Sequence, residues 1–151
     1  EAYSLVQGAK EDFGKEAIST LLKRMEDDRN RIVVILAGYS TEMKEFIDSN
    51  PGLQVRFNRY INFPDYTANE LSQIFLIKAK KNQYTLDEDA SKVLDDVLTE
   101  AVEHKEKNFG NARFVRNIFE KTIQNQAMRL SSEPNITEEV LSMLKAEDIT
   151  N

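Results

Sequence analysis

"RIVVILAGYS", residues 31–40, decides the fold. Five apolar residues run without a break from Ile32 to Leu36, and β-branched side chains dominate them. Alternation would mark a strand with one wet face. An unbroken run reads instead as a strand covered on both faces, as in a parallel sheet packed between helices. Gly38 follows at the carboxyl end. Ligands of open α/β sheets bind beyond the carboxyl ends of the strands, so Tyr39 and Ser40 are candidates to face one. The plainer alternative is that Gly38 ends a strand and Tyr39 packs.

Upstream, "GKEAISTLLKRMEDD" carries Ile18, Leu21, Leu22 and Met25 on one helical stripe. Downstream, "STEMKEFIDS" restarts a helix with Ser40 as its N-cap, and "NPG" at 50–52 stops it. "YINF", residues 60–63, reads as a second short strand. The chain then divides near Pro64–Asp65, giving parts 1–65 and 66–151. The second part is helical throughout. Thr67 and Glu70 have capping-box spacing ahead of Leu71, Ile74, Phe75 and Lys78. A long helix follows Asp87, with Val93, Leu94, Val97, Leu98 and Ala101 on its stripe. Another follows Asn111, with Phe114, Val115, Ile118 and Met128 expected inward, and "NITEEVLSMLKAEDI" supplies a last helix capped by Thr137.

The predicted fold is therefore α/β followed by all-α, the latter a domain of about four helices. Two strands and two helices are too few to cover both faces of a parallel sheet with right-handed crossovers. "EAYSLV" also opens abruptly. The chain reads as the C-terminal portion of a larger α/β protein, and the isolated piece is expected to self-associate through an apolar sheet edge.

Composition narrows the function. A chain of 151 residues with 40% hydrophobic and 30% charged residues is of globular-domain size and type. Its apolar runs fall short of the roughly 18–20 residues that span a bilayer. The first residues show neither a basic n-region nor an apolar h-region. With no cysteine, disulfides and thiolate metal sites are excluded, and a reducing, cytoplasmic setting is expected. Twenty basic against 26 acidic residues, net −6, argue against nucleic acid or an anionic membrane as partner. His104, in the charged run "EHKEKN", reads as a solvated helix-end residue, without the neighbours a metal ligand needs.

A small anionic ligand held by a few placed arginines fits that balance. "NPGLQVRFNRYINFPDY", residues 50–66, sets Arg56 and Arg59 three apart between a Pro-Gly turn and the aromatic strand. "FGNARFVRN" puts Arg113 in the first turn of a helix, where a cation opposes the helix dipole unless it meets an anion. Surface salt bridges are the plain reading of any one of these arginines.

"EAYSL", "DFGKEAI", "VVILAGY", "NPGLQVRF", "FPDY" and "FGNARFVRN" keep order and spacing over essentially the whole chain. Together they resemble the C-terminal half of an AAA+ ATPase, in the branch of stage V sporulation protein K and the CbbX-type (red-type) rubisco activases. That resemblance implies a truncated nucleotide-binding core over 1–65 and a helical lid over 66–151. It implies that Glu1 is the Walker B glutamate that polarises the attacking water. The Mg²⁺-binding aspartate would stand just before residue 1. By the same likeness Tyr39 takes the sensor-1 position, Arg56 is the arginine finger and Arg113 is sensor 2, while Arg59 is expected to make a local contact. The roles agree with the chemistry, because Arg stays charged and its planar fork meets two phosphate oxygens.

Two features depart from the branch. Val55 stands where serine usually precedes the Arg-Phe pair. The 151 residues also hold no G-x-x-x-x-G-K-[ST], whose backbone and lysine cradle the phosphates. The implied whole is a ring, expected to be a hexamer, that binds ATP and Mg²⁺ and remodels a partner protein, in sporulation where the source forms spores. No tightly bound nucleotide and no turnover are expected of this piece alone. "LVQGAKEDFG" is a candidate for part of a second, substrate-facing pore loop. The alternative is a non-catalytic helical interaction module whose arginines serve only salt bridges.

Overall fold

The apolar stripes form helices in a computed structural model that describes residues 1–6, 11–107 and 109–150, with only the backbone of 11 and 12. Two compact units emerge, Glu1–Phe63 and Pro64–Asn151. In the first, a short 3-10 turn at Ala2–Leu5 precedes α1 (Glu11–Asp27), α2 (Ser40–Asp48) and α3 (Pro51–Arg56). Its core gathers Tyr3, Ile18, Phe46, Ile47 and Leu53, with Leu22, Leu36, Met43 and Phe57 packed against them. "NPG" ends α2 and also starts α3. Asn50 Oδ1 accepts the Gly52 N–H at 2.8 Å, and Pro51 takes the first helical position, where its missing donor costs nothing. A Cβ on Gly52 would lie 2.8 Å from Leu22 Cδ1, so α3 rests directly on α1. Tyr39 rather than Ser40 occupies the N-cap of α2, and the Ser40 hydroxyl bonds Asn62 Oδ1 at 3.3 Å.

The two strands expected in this unit, at Ile32–Leu36 and Tyr60–Phe63, do not form. Val34 and Leu36 are half-buried, but Val33 and Ile35 are 88% and 85% exposed, so only one face of the run is covered. A strand exists by its neighbours' hydrogen bonds. Among the described residues, the Ala2 N–H to the Ala37 carbonyl, at 3.2 Å, is the long-range backbone bond of this segment.

The second unit holds α4 (Ala68–Lys81), β1 (Thr85–Leu86), α5 (Glu88–Glu103), α6 (Ala112–Leu130), α7 (Glu138–Ser142), β2 (Met143–Leu144) and a 3-10 turn at Ala146–Asp148. Local chemistry starts α4 and α5. The Thr67–Glu70 box is complete, and the Asp87 carboxylate accepts the Ala90 N–H at 2.7 Å. Thr137 caps α7 as expected, yet that helix stops at Ser142. The chain then forms β2, which pairs in parallel with β1 in the register Thr85↔Met143, Leu86↔Leu144.

Leu71, Phe75, Ala79, Ala90, Leu94, Leu98, Val115, Ile118, Phe119 and Leu144 make one continuous core. Phe75 meets Phe119 edge to face at 5.3 Å. Met128, expected inward, is 65% exposed. The inner positions of α6 go instead to Thr122 and Gln126. Gln126 is tolerated there because its amide donates to the Leu141 and Met143 carbonyls, both at 3.0 Å. Among the described residues, no helix is long and apolar enough to cross a membrane.

Candidate functional site

Glu1 opens the 3-10 turn and is exposed. Two residues on, Tyr3 is buried, with Gly38 against its ring. A Cβ on Gly38 would lie 2.7 Å from Tyr3 Cε1 and 2.9 Å from Met43 Cγ, so only glycine lets the two segments meet. Burial, then the neighbouring acidic groups Glu1, Tyr39 and Glu42, push the Tyr3 phenol above the ordinary tyrosine range, and its hydrogen bond to Glu1 adds to this. The Ala2–Ala37 backbone bond and this cluster bring Glu1 and Tyr39 to one edge of the first unit.

Arg56 comes from the last turn of α3, behind the buried Leu53. Its Nη2 lies 3.2 Å from Glu26 Oε2, whose other oxygen lies 3.4 Å from Arg29 Nη1. Arg56 is therefore paired with α1 and not with Glu1 or Tyr39. Arg59, expected to make a local contact, is exposed and has no ion pair among the described residues. It sits beyond α3 in a segment without regular structure, and nothing there brings a carboxylate to it.

In the second unit, Arg113 occupies the first turn of α6 and is exposed. No hydrogen bond or ion pair among the described residues engages its guanidinium. A bare cation beside the positive end of a 19-residue helix is electrostatically disfavoured, and an anion would relieve it. In front of it stands Asn111, whose amide donates to Asp65 Oδ1 at 2.8 Å, while Lys105 Nζ reaches Asp65 Oδ2 at 2.7 Å. These bonds, Lys105 first and then Asn111, hold the Asp65 carboxyl below the ordinary range. The sequence reading missed this network and also missed Glu26, since each contact joins residues at least 30 positions apart.

His104 lies at the end of α5 and lines a cavity of about 450 Å³ with Glu100, Lys105, Phe109 and Phe114. Among the described residues, no group of three or more His, Asp or Glu is placed to hold a metal. The candidate pore loop "LVQGAKEDFG", residues 5–14, has its stretch 7–10 outside the described residues. Among the described residues, the Arg113 side chain has no hydrogen bond or ion pair, and that of Arg56 has one, to Glu26.

Comparison with known proteins identifies the family. Residues 67–151 match the AAA lid domain family. The chain is 44% identical, over 99% of its length, to stage V sporulation protein K of Bacillus subtilis (strain 168), covering 47% of that protein. It is 41% identical to the protein CfxQ homolog of Galdieria sulphuraria, covering 49% of it. It is 40% identical to the chloroplastic ribulose bisphosphate carboxylase/oxygenase activase of Cyanidioschyzon merolae, covering 51%. Each of these alignments takes in 99% of the present chain. The chain spans about half the length of these relatives and matches their C-terminal part. With its α4–α7 helices matching the lid and its first unit aligned alongside, the chain belongs to the AAA+ ATPase family, in the branch of these relatives.

Proposed function

We propose that this chain is the nucleotide-responsive C-terminal part of a ring-forming ATPase subunit, with 1–65 completing the nucleotide-binding core and 66–151 acting as its lid. In the intact protein, which would hydrolyse Mg²⁺-ATP in the cytoplasm, Glu1 polarises the attacking water and Tyr39 lies near the γ-phosphate. Arg113 meets the phosphates bound by its own subunit. Arg56 reaches the ATP of a neighbouring subunit, in a ring of six. Turnover drives the remodelling of a partner protein.

The observation that carries the reading is Arg113, exposed in the first turn of the longest helix of the second unit, with no partner to its guanidinium among the described residues. Its electrostatics favour an anion there, and phosphate suits its fork. The test is Arg113→Ala in the intact protein. Nucleotide affinity, followed with a fluorescent ATP analogue, is expected to fall about tenfold, the effect of losing a charged hydrogen-bonding partner. Unchanged affinity together with unchanged turnover would remove Arg113 from the site.

A further inference from the structure

Asp65 and Asn111 lie 46 positions apart and meet at 2.8 Å. Asn111 does more than bridge one gap. Its Nδ2 also donates to the Phe109 carbonyl at 3.2 Å, and its Oδ1 accepts the Tyr66 N–H at 3.0 Å. The side chain thus uses both its donor and its acceptor end, tying two successive residues, Asp65 and Tyr66, to the loop that starts α6. Lys105 completes the network from beyond the end of α5, on the second oxygen of Asp65.

The backbone of Asn111 sharpens the point. Its φ is 47°, the left-handed half of conformational space, where glycine carries no steric cost and other residues are strained. If the turn needed only that conformation, glycine would serve better. An asparagine held there indicates that its side chain offsets the strain. Arg113 follows two residues later, so the bonds of Asn111 set where α6 begins and where that arginine stands. Asp65 and Tyr66, the other end of the network, are the second and third residues of the Pro64–Asn151 unit.

We propose that Asp65 and Asn111 are positioning residues for Arg113, fixing the first turn of α6 to the strap by which the chain enters the second unit. An anion drawn to Arg113 then acts on that strap through the two hydrogen bonds that Asn111 makes with Asp65 and Tyr66, rather than through a loose loop. The proposal rests on the reading of Arg113 as a phosphate-sensing residue.

A double-mutant cycle in the intact protein tests it, reading nucleotide affinity with a fluorescent ATP analogue and stability from the thermal midpoint. Asn111→Gly keeps the backbone conformation and removes only the side-chain bonds. It and Asp65→Ala are each expected to weaken affinity about threefold to tenfold, in line with the loss of a charge-assisted hydrogen bond. Asp65→Asn, which keeps an acceptor for Asn111, should fall between wild type and Asp65→Ala. Combined with Arg113→Ala, each should bind no more weakly than Arg113→Ala alone, because all three act through one guanidinium. Losses that simply add, or full affinity in Asn111→Gly while Arg113→Ala is weakened, would overturn the positioning role. Full affinity in Arg113→Ala would remove the underlying assignment, and the proposal with it. Should Asp65→Ala fail to fold, Asn111→Gly carries the same cycle.

Discussion

Arg56 Nη2 and Glu26 Oε2 stand 3.2 Å apart, joining the last turn of α3 to the last turn of α1 across 30 positions. The Arg56 side chain is 31% exposed and Glu26 59%. An ion pair this open contributes about 1 kcal/mol or less. Stabilising a phosphoryl-transfer transition state is worth far more, about 10³–10⁵ in rate for an arginine supplied by a neighbour. The pair therefore orders the arginine without locking it away, and its other nitrogens stay available to a phosphate.

Arg56→Ala in the intact protein should accordingly cut ATP turnover about 10³-fold or more while each subunit keeps its nucleotide affinity. Glu26→Ala should change turnover by about fivefold at most, the ceiling set by an exposed pair. Steady-state hydrolysis and equilibrium binding, measured side by side, separate the two. Equal loss of binding and turnover in Arg56→Ala would contradict a finger that acts across subunits.

Gly38→Ala makes a steric prediction. The new Cβ would press on the Tyr3 ring at 2.7 Å and on Met43 at 2.9 Å, and both side chains belong to or pack on the core of the first unit. Overpacking of this kind costs about 1–3 kcal/mol. Denaturant unfolding of the 151-residue chain should show that loss. If Glu1 has the proposed role, turnover of the intact protein should fall as well, because Glu1 is among the groups that act on the Tyr3 phenol. A Gly38→Ala variant with unchanged stability would show that the two segments do not meet as described.

What could be read from sequence was what a few neighbouring residues decide. The Thr67–Glu70 box, the start of a helix after Asp87 and the cap at Thr137 are local, and each is found in place. Helix type followed from stripes such as Leu94 and Leu98, the small helical domain followed from the helices, and its reading as a lid came from the family resemblance. Strands are relations between distant segments, and there the reading failed both ways. It placed strands at 32–36 and 60–63 that have no partner, and it missed β1–β2, whose ladder joins Thr85 to Met143. Met128 was preferred to Gln126 as a core residue because hydropathy cannot see the two carbonyls that satisfy the amide. The place of Arg113 in the first turn of a helix was legible from "FGNARFVRN". Asp65–Asn111 was not, since nothing in "FPDY" indicates an amide 46 positions away.

The unpaired apolar segments have a physical consequence. Val33, Ile35, Ile61 and Phe63 are each more than 80% exposed, at 88%, 85%, 81% and 86%. Runs of this kind pair with whatever edge or apolar face they meet. The isolated 151-residue chain is expected to self-associate with rising concentration. Val33→Lys with Ile35→Lys should shift it toward monomer. Light scattering reads both, and a strictly monomeric wild-type chain would count against the idea.

The second unit should lose stability in acid, and beside the exposed Asp65 and Glu70 one buried carboxylate contributes to that loss. Arg129 grips Asp148 with Nε at 2.8 Å and Nη2 at 2.7 Å, and the Lys145 N–H adds a bond of 2.9 Å. Burial alone would raise the Asp148 carboxyl. The Arg129 fork, the Lys145 N–H and the positive charges of both residues outweigh it, so the carboxyl is held below the ordinary aspartate range. The sign follows. A carboxylate whose folded pKa is depressed contributes stability above its unfolded value of about 3.9, and that contribution is lost as pH falls through the folded value. Unfolding stability should therefore be flat near this group from pH 7 to about 5 and drop in more acidic solution. Asp148→Asn should reduce that acid-side loss and lower stability at pH 7 by about 2–4 kcal/mol, because Arg129 loses its buried partner charge and keeps only the more exposed Glu147, at 3.5 Å. Denaturant titrations of both proteins across that range decide it. A variant as stable as wild type at pH 7 would mean that the 3-10 turn at Ala146–Asp148 is not anchored to α6 by this pair.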